Sequence, residues 1–67
     1  MNLGKSLKVA LAANELKNKD FAAMLDVSAP QVSKWITTGR ISWSNQEAIS
    51  KALNMKVSEF VALGESH

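Results

Sequence analysis

The sequence predicts an all-α fold made of five short helices. Apolar residues recur at helical spacing along most of the chain, and the C-terminal part lacks the period-two alternation of strands. Good helix-capping residues precede several of these segments. With 67 residues the chain is long enough for one small domain, so we expect residues 1–67 to form a single compact domain.

The first helix is predicted over Leu3–Asn14, where leucines and alanines repeat every three or four residues. The side chains predicted to face the core are Leu3, Leu7, Ala10 and Leu11. Lys5 and Lys8 lie on the outer side. They are either solvated lysines, which is the interpretation we favour, or contacts to phosphate. Leu16 is expected to fill the core below the connection to the next helix.

Residues 18–38, NKDFAAMLDVSAPQVSKWITT, predict two short helices joined by a tight turn. Phe21, Ala22 and Leu25 lie on one side of the first of them, and Asn18 is predicted to be its N-cap. A helix, a turn of about three residues and a second helix form the unit that places one helix in the major groove of DNA.

Ser28 is predicted to cap the second helix of this pair. Gln31, three residues later, would complete a capping box, and Pro30 lies in the first turn, where a missing N–H is tolerated. The buried stripe of this helix is predicted to be Val32, Trp35 and Ile36. Gln31 has two open interpretations, because it is either the capping partner of Ser28 or a DNA contact.

The spacing within this stretch is typical of helix-turn-helix proteins. Counted from Asn18, the small residue Ala22 is fifth, and the apolar residues Val27, Val32 and Trp35 are tenth, fifteenth and eighteenth. With the flanking segments LGKSLKVALAANEL and ISKALNM, these positions make the chain resemble the Cro and lambda-repressor-like family, also called XRE-type regulators. The resemblance implies a lambda-repressor-like five-helix domain with the helix-turn-helix at helices 2 and 3.

The sequence departs from that family's pattern in two places that matter here. Asp26 stands where the family usually has a glycine in the left-handed conformation, which aspartate tolerates. Ala29 and Pro30 stand where many phage repressors carry glutamines that read adenine.

The resemblance implies that helix 3 reads double-stranded DNA. With Val32 and Trp35 inward, a step of about 100° per residue turns the opposite face of the helix toward the groove. The side chains predicted to point outward are Pro30, Ser33, Lys34 and Thr37, flanked by Ser28, Ala29 and Gln31. Lys34 matches a position that commonly contacts bases and can donate to guanine, while Ala29 and Pro30 offer apolar surface for a thymine methyl group. The residues expected to meet the DNA backbone are Asn18, Lys19, Thr37, Thr38 and Arg40.

The remaining residues predict two more helices. Helix 4 is expected over Asn45–Leu53, capped by Ser44 with Glu47 as a capping box and closed by Asn54, and helix 5 over Lys56–Leu63, ended by Gly64. Trp43 would either staple the start of helix 4 or contact a partner subunit. The residues assigned to a dimer interface are Trp43, Val57, Phe60 and Val61.

The charge pattern favours approach to phosphates. The net charge is only +2, but residues 27–46 contain no acidic side chain. With no cysteine, a single histidine at the C-terminus and dispersed carboxylates, we expect no metal site, no cofactor and no enzymatic activity. The longest apolar runs, residues 9–13 and 21–25, are too short for a membrane span, so a cytoplasmic protein is expected. The resemblance implies that the cell is a bacterium or a phage-infected host.

These features lead to a functional hypothesis. The chain would be a sequence-specific regulator, a phage or prophage Cro-like repressor that binds operator half-sites as a weak homodimer tightened on DNA. The alternative is a protein-interaction module on the same scaffold, an antitoxin or adaptor with weak or no specific DNA binding.

Overall fold

The computed structural model describes residues 2–66, which form five helices and no strand. The helices are α1 (Leu3–Ala13), α2 (Asn18–Leu25), α3 (Ala29–Thr38), α4 (Trp43–Ala52) and α5 (Val57–Ser66). Each helix overlaps the segment predicted for it, and the all-α five-helix fold is confirmed. α1 packs against both α3 and α5, while α2 packs against α3 and α4.

One apolar core joins all five helices. Its buried side chains are Leu3, Leu7, Ala10, Leu11, Phe21, Ala22, Val32, Trp35, Ile41, Ile49 and Phe60. The four inward positions predicted for α1 are all buried, as are Val32 and Trp35 on α3. Ile36 and Leu16 are half-buried and pack against this core. The helical spacing in the sequence therefore identifies most of the core, whereas the buried Ile41 lies between α3 and α4 and was not predicted.

Three helices end in the same left-handed turn without using glycine. Glu15, Asp26 and Asn54 have φ of 55°, 58° and 56°, and the residue after each donates its N–H to a carbonyl five residues earlier. This is the Schellman arrangement, which satisfies carbonyl groups left free at a helix C-terminus. The predicted left-handed conformation of Asp26 and the predicted closing of α4 at Asn54 are confirmed.

The start of α4 differs from the prediction. Ser42, not Ser44, is the N-cap, and its Oγ accepts the N–H of Asn45 at 3.3 Å. The side-chain amide of Gln46 donates to the carbonyl of Ile41 at 2.9 Å, which holds the entering chain against the first turn. Because Ile41 is buried in the core, the chain turns into the helix directly after it. Ser44 and Glu47 therefore lie inside α4 and form no capping box.

Gly64 does not end α5 as predicted, because the helix continues to Ser66. Its N–H donates to the Oγ of the buried Ser6 at 2.9 Å, and the same hydroxyl donates to the carbonyl of Val61 at 3.2 Å. A Cβ at position 64 would overlap Ser6 Oγ and the carbonyl oxygen of Asn2. The glycine is therefore a point of close approach between α5 and α1 rather than a helix terminator.

The burial pattern of α3 predicts that substitutions at two of its residues change the stability of the domain by very different amounts. Trp35 is 4% exposed, so Trp35→Ala is expected to lower the free energy of unfolding by about 3–5 kcal/mol, comparable with the whole stability of a domain this small. Thr37 is exposed on the same helix, so Thr37→Ala should change it by less than about 0.5 kcal/mol. Chemical denaturation of both variants checks this. Similar midpoints would mean that α3 is rotated from the orientation described.

The corrected start of α4 predicts which serine stabilises the helix. Ser42→Ala removes the acceptor for the Asn45 N–H and should cost about 1 kcal/mol of unfolding free energy. Ser44→Ala is the matched control and should cost less than about 0.5 kcal/mol, because Ser44 is exposed within the helix. Thermal unfolding of the pair is the measurement. A larger loss from Ser44→Ala would restore Ser44 as the cap.

Candidate nucleic-acid interface

α2 and α3 are joined by a turn of three residues, Asp26, Val27 and Ser28. Val27 donates its N–H to the carbonyl of Ala22 at 3.0 Å, and the side chain of Ala22 is 2% exposed. The left-handed Asp26 redirects the chain, and Ser28 then caps α3 by accepting the N–H of Gln31 at 3.3 Å. This predicted cap is confirmed, and Pro30 lies in the first turn of α3 as expected.

The outer face of α3 is open to solvent. Val32 and Trp35 are buried beneath it, so the side chains about half a turn away point outward. Ser33, Lys34 and Thr37 are exposed on this face, as is Pro30 at its leading end. The other predicted contact residues are also accessible: Lys19, Ser28, Thr38 and Arg40 are exposed, while Asn18, Ala29 and Gln31 are half-buried.

Asn18 does not cap α2, contrary to the prediction. The N-cap position is Lys17, which has no side-chain capping bond, and Asn18 is already the first helical residue. Its Nδ2 donates instead to the Oγ of Ser33 on α3 at 3.2 Å. Asn18 therefore ties the start of α2 to the outer face of α3. Periodicity could not reveal this, because the bond joins residues 15 positions apart.

The capping box at α3 is only half formed. Ser28 accepts the N–H of Gln31, but within residues 2–66 the side-chain amide of Gln31 forms no hydrogen bond in return. The prediction that this amide would bond back to Ser28 is therefore wrong. The Gln31 amide remains available at the leading end of the helix, where its second interpretation places it against DNA.

A cleft of about 400 Å³ lies between α3 and the start of α4. Its lining contains two cations and no carboxylate: Gln31, Lys34, Trp35, Thr38, Arg40, Ser42 and Asn45. Thr38 Oγ1 donates to the carbonyl of Lys34 at 2.8 Å and accepts the N–H of Arg40 at 3.2 Å, next to Gly39 with its φ of 69°. These bonds hold Arg40 at the end of α3 on the same edge as Lys34.

The sequence reasoning missed the parts of this cleft that α4 contributes. Ser42 and Asn45 line it because α4 begins at Trp43, two residues earlier than predicted. Ser42 and Ser44 are both residues of a type that caps helices. The sequence favoured Ser44 because Glu47, three residues later, would complete a capping box with it. The signal that points to Ser42 is its position directly after the buried Ile41.

The residues assigned to a dimer interface are not all available for one. Trp43 is 63% exposed, and Val57 and Val61 are half-buried. Phe60, however, is fully buried in the core of the single chain, so it has no surface to offer a partner. That assignment is corrected, because the apolar stripe of α5 is used within the protomer.

The longest helix within residues 2–66 is α1, whose 11 residues are too few to span a bilayer. The same part of the chain contains no group of three or more His, Cys, Asp or Glu side chains placed to hold a metal ion.

Comparison with known proteins agrees with this geometry. The family model of the Cro/C1-type HTH DNA-binding domain matches residues 6–64 of the chain. Neither a curated protein nor a solved structure matches the chain.

Proposed function

The chain belongs to the Cro/C1-type helix-turn-helix DNA-binding family, and we propose that it regulates transcription by binding a specific double-stranded DNA operator. The observation that carries this proposal is the outer face of α3. Ser33, Lys34 and Thr37 are exposed on a helix held by the buried Val32 and Trp35. A helix with one anchored and one free face suits insertion into the major groove.

Lys34 is the proposed centre of base reading. It is the only charged residue of α3 and lies on its exposed face, and an ammonium group can donate to guanine O6 and N7. The free amide of Gln31 can pair with adenine N6 and N7. Ala29 and Pro30 present apolar surface to a thymine methyl group.

Backbone contacts would flank this reading face on both sides. Asn18 and Lys19 lie at the start of α2, and Asn18 is bonded to Ser33 on α3. Thr38 and Arg40 lie on the opposite edge, in the cleft next to α4. Contacts of this kind fix the register of a protein on the duplex without reading sequence.

The specific biological role that we propose is that of a phage or prophage Cro-like repressor. Bound at an operator in the cytoplasm of a bacterium or a phage-infected cell, it would block polymerase by occupancy and would need no cofactor. Because one recognition helix makes few base contacts, two copies on adjacent half-sites would supply the specificity.

A protein-interaction module remains the second candidate, as in an antitoxin or an adaptor. It is favoured by the exposed Trp43 and by the absence of polar base readers at positions 29 and 30. Selection of binding sites from random duplex DNA separates the two. The regulator predicts one enriched operator sequence, whereas the interaction module predicts none.

Lys34 is expected to affect the base preference of DNA binding, and Arg40 its sequence-independent, salt-dependent affinity. Lys34→Ala should cost about 1–3 kcal/mol at one operator position and relax the base preference there. Arg40→Ala should weaken binding to all sequences alike and reduce the slope of log affinity against log salt by about one unit. Affinities on a series of operator variants at several salt concentrations measure both effects. A uniform loss from Lys34→Ala, with its base preference kept, would make Lys34 a phosphate contact.

Assembly on DNA is the second expectation. Two protomers should occupy one operator, with half-sites about 34 Å apart, and sedimentation should show a weak dimer that tightens on DNA. Trp43→Ala should weaken this assembly, because Trp43 is the most exposed large apolar side chain. Met24→Ala is the matched control, since Met24 is 51% exposed on α2 outside the proposed interface. One protomer per operator at saturation would refute the dimer.

A further inference from the structure

A surface groove of about 650 Å³ runs along the line where α1 meets the C-terminal part of α3. Val9 and Ala12 of α1 and Ile36 of α3 form its apolar floor, while Lys5 and Lys8 stand along α1. The groove contains Thr37, which also belongs to the outer face of α3. It is therefore continuous with the proposed DNA-reading surface.

The electrostatic character of this groove is one-sided. Its lining contains two lysines and no carboxylate. Both of the segments that form it are free of acidic residues, since none occurs in residues 1–14 or in residues 27–46. Such a surface attracts an anion, and nothing in the lining neutralises Lys5 or Lys8.

The groove extends the edge of α3 that lies next to Asn18 of α2. Asn18 is bonded to Ser33, and Thr37 follows Ser33 one helical turn later on the same side. The ten residues of α3 span about 15 Å, and each DNA strand presents a phosphate every 3.4 Å or so along the duplex axis. A strand that follows this edge from Asn18 past Thr37 therefore reaches the α1 groove.

We propose that the groove between α1 and α3 binds the sugar–phosphate backbone of the operator. Lys5 and Lys8 each neutralise a phosphate, and the sugar carbons lie against Val9, Ala12 and Ile36. This rests on the proposed function and adds α1 to the DNA-contacting surface. Of the two interpretations of these lysines that the sequence leaves open, the proposal takes the phosphate contact, because α1 lies beside the end of α3.

The test uses two double variants with the same change in net charge. Lys5→Gln/Lys8→Gln removes the groove lysines, and Lys51→Gln/Lys56→Gln removes two exposed lysines that line a separate surface between α4 and α5. All four lysines are exposed, so both variants should keep their thermal midpoints. Binding to the selected operator and to an unrelated duplex is measured at several salt concentrations.

The groove variant should lose about 0.9 units of salt slope per lysine, or roughly 1.8 in total. The advantage of the wild type over it would then shrink about 12-fold between roughly 50 and 200 mM salt. Its loss of affinity should be equal on both duplexes, with the operator preference kept. The control variant should retain the wild-type slope.

Three results would overturn the proposal. Equal slope losses in the two variants would indicate a general charge effect without contact in the groove. If the groove variant keeps the wild-type salt slope while the wild type still selects an operator, the groove does not contact DNA and would instead be free to bind a protein partner. The proposed function as a regulator would then stand. No enriched sequence and no salt-dependent binding by the wild type would remove the proposed function together with this one.

Discussion

The close crossing of α1 and α3 is the constraint on which the rest of the structure depends. A Cβ at Gly4 would overlap the carbonyl oxygen of Ile36, so only glycine allows the two helices to approach this closely. Protein interiors are packed too densely to absorb such an overlap without moving the backbone. Gly4 therefore determines how near α3 lies to α1, and with it which face of α3 stays exposed to solvent.

The other side of α1 is held by a polar contact within the core. Ser6 is fully buried, and its hydroxyl both donates to Val61 and accepts from Gly64 on α5. Among the described residues no buried side-chain polar atom lacks a partner, so hydrogen bonds offset the cost of desolvating this serine. α5 closes over α1 and supplies Phe60 to the core. The C-terminal helix thus stabilises the support on which α3 rests.

Most features of the fold that depend on neighbouring residues along the chain could be predicted from the sequence. Helical periodicity identified the buried Val32 and Trp35, and capping chemistry identified Ser28. The family resemblance implied the left-handed Asp26. Sequence reasoning failed where residues far apart in sequence meet, and it also failed locally when it chose Ser44 instead of Ser42 as the cap of α4. Asn18 was predicted to be a cap, but the fold brings Ser33 beside it and its side chain bonds there instead. Gly64 was predicted to end the helix, but it is a glycine because Ser6 occupies the space that a side chain would need.

The candidate site shows the same division. Exposure of the outer face of α3 follows from its periodicity, so the proposed contact residues on that helix could be predicted from the sequence. The cleft with Ser42 and Asn45 and the groove with Lys5 and Lys8 required the packing of α4 and α1 against α3. Each lies on one edge of the same helix. Sequence reasoning therefore finds the proposed base-reading surface more readily than the proposed phosphate-contacting surfaces.

The distribution of charge explains how a chain with a net charge of +2 presents a surface suited to DNA. The six carboxylates belong to the connection after α1, to α2 and its turn, and to α4 and α5. None lies on α3 or in either depression beside it, where Lys34 and Arg40 line one edge and Lys5 and Lys8 the other. Screening limits electrostatic attraction to about 8–10 Å at physiological salt. A phosphate at either edge therefore responds mainly to the nearby lysines and arginine rather than to the net charge of the chain.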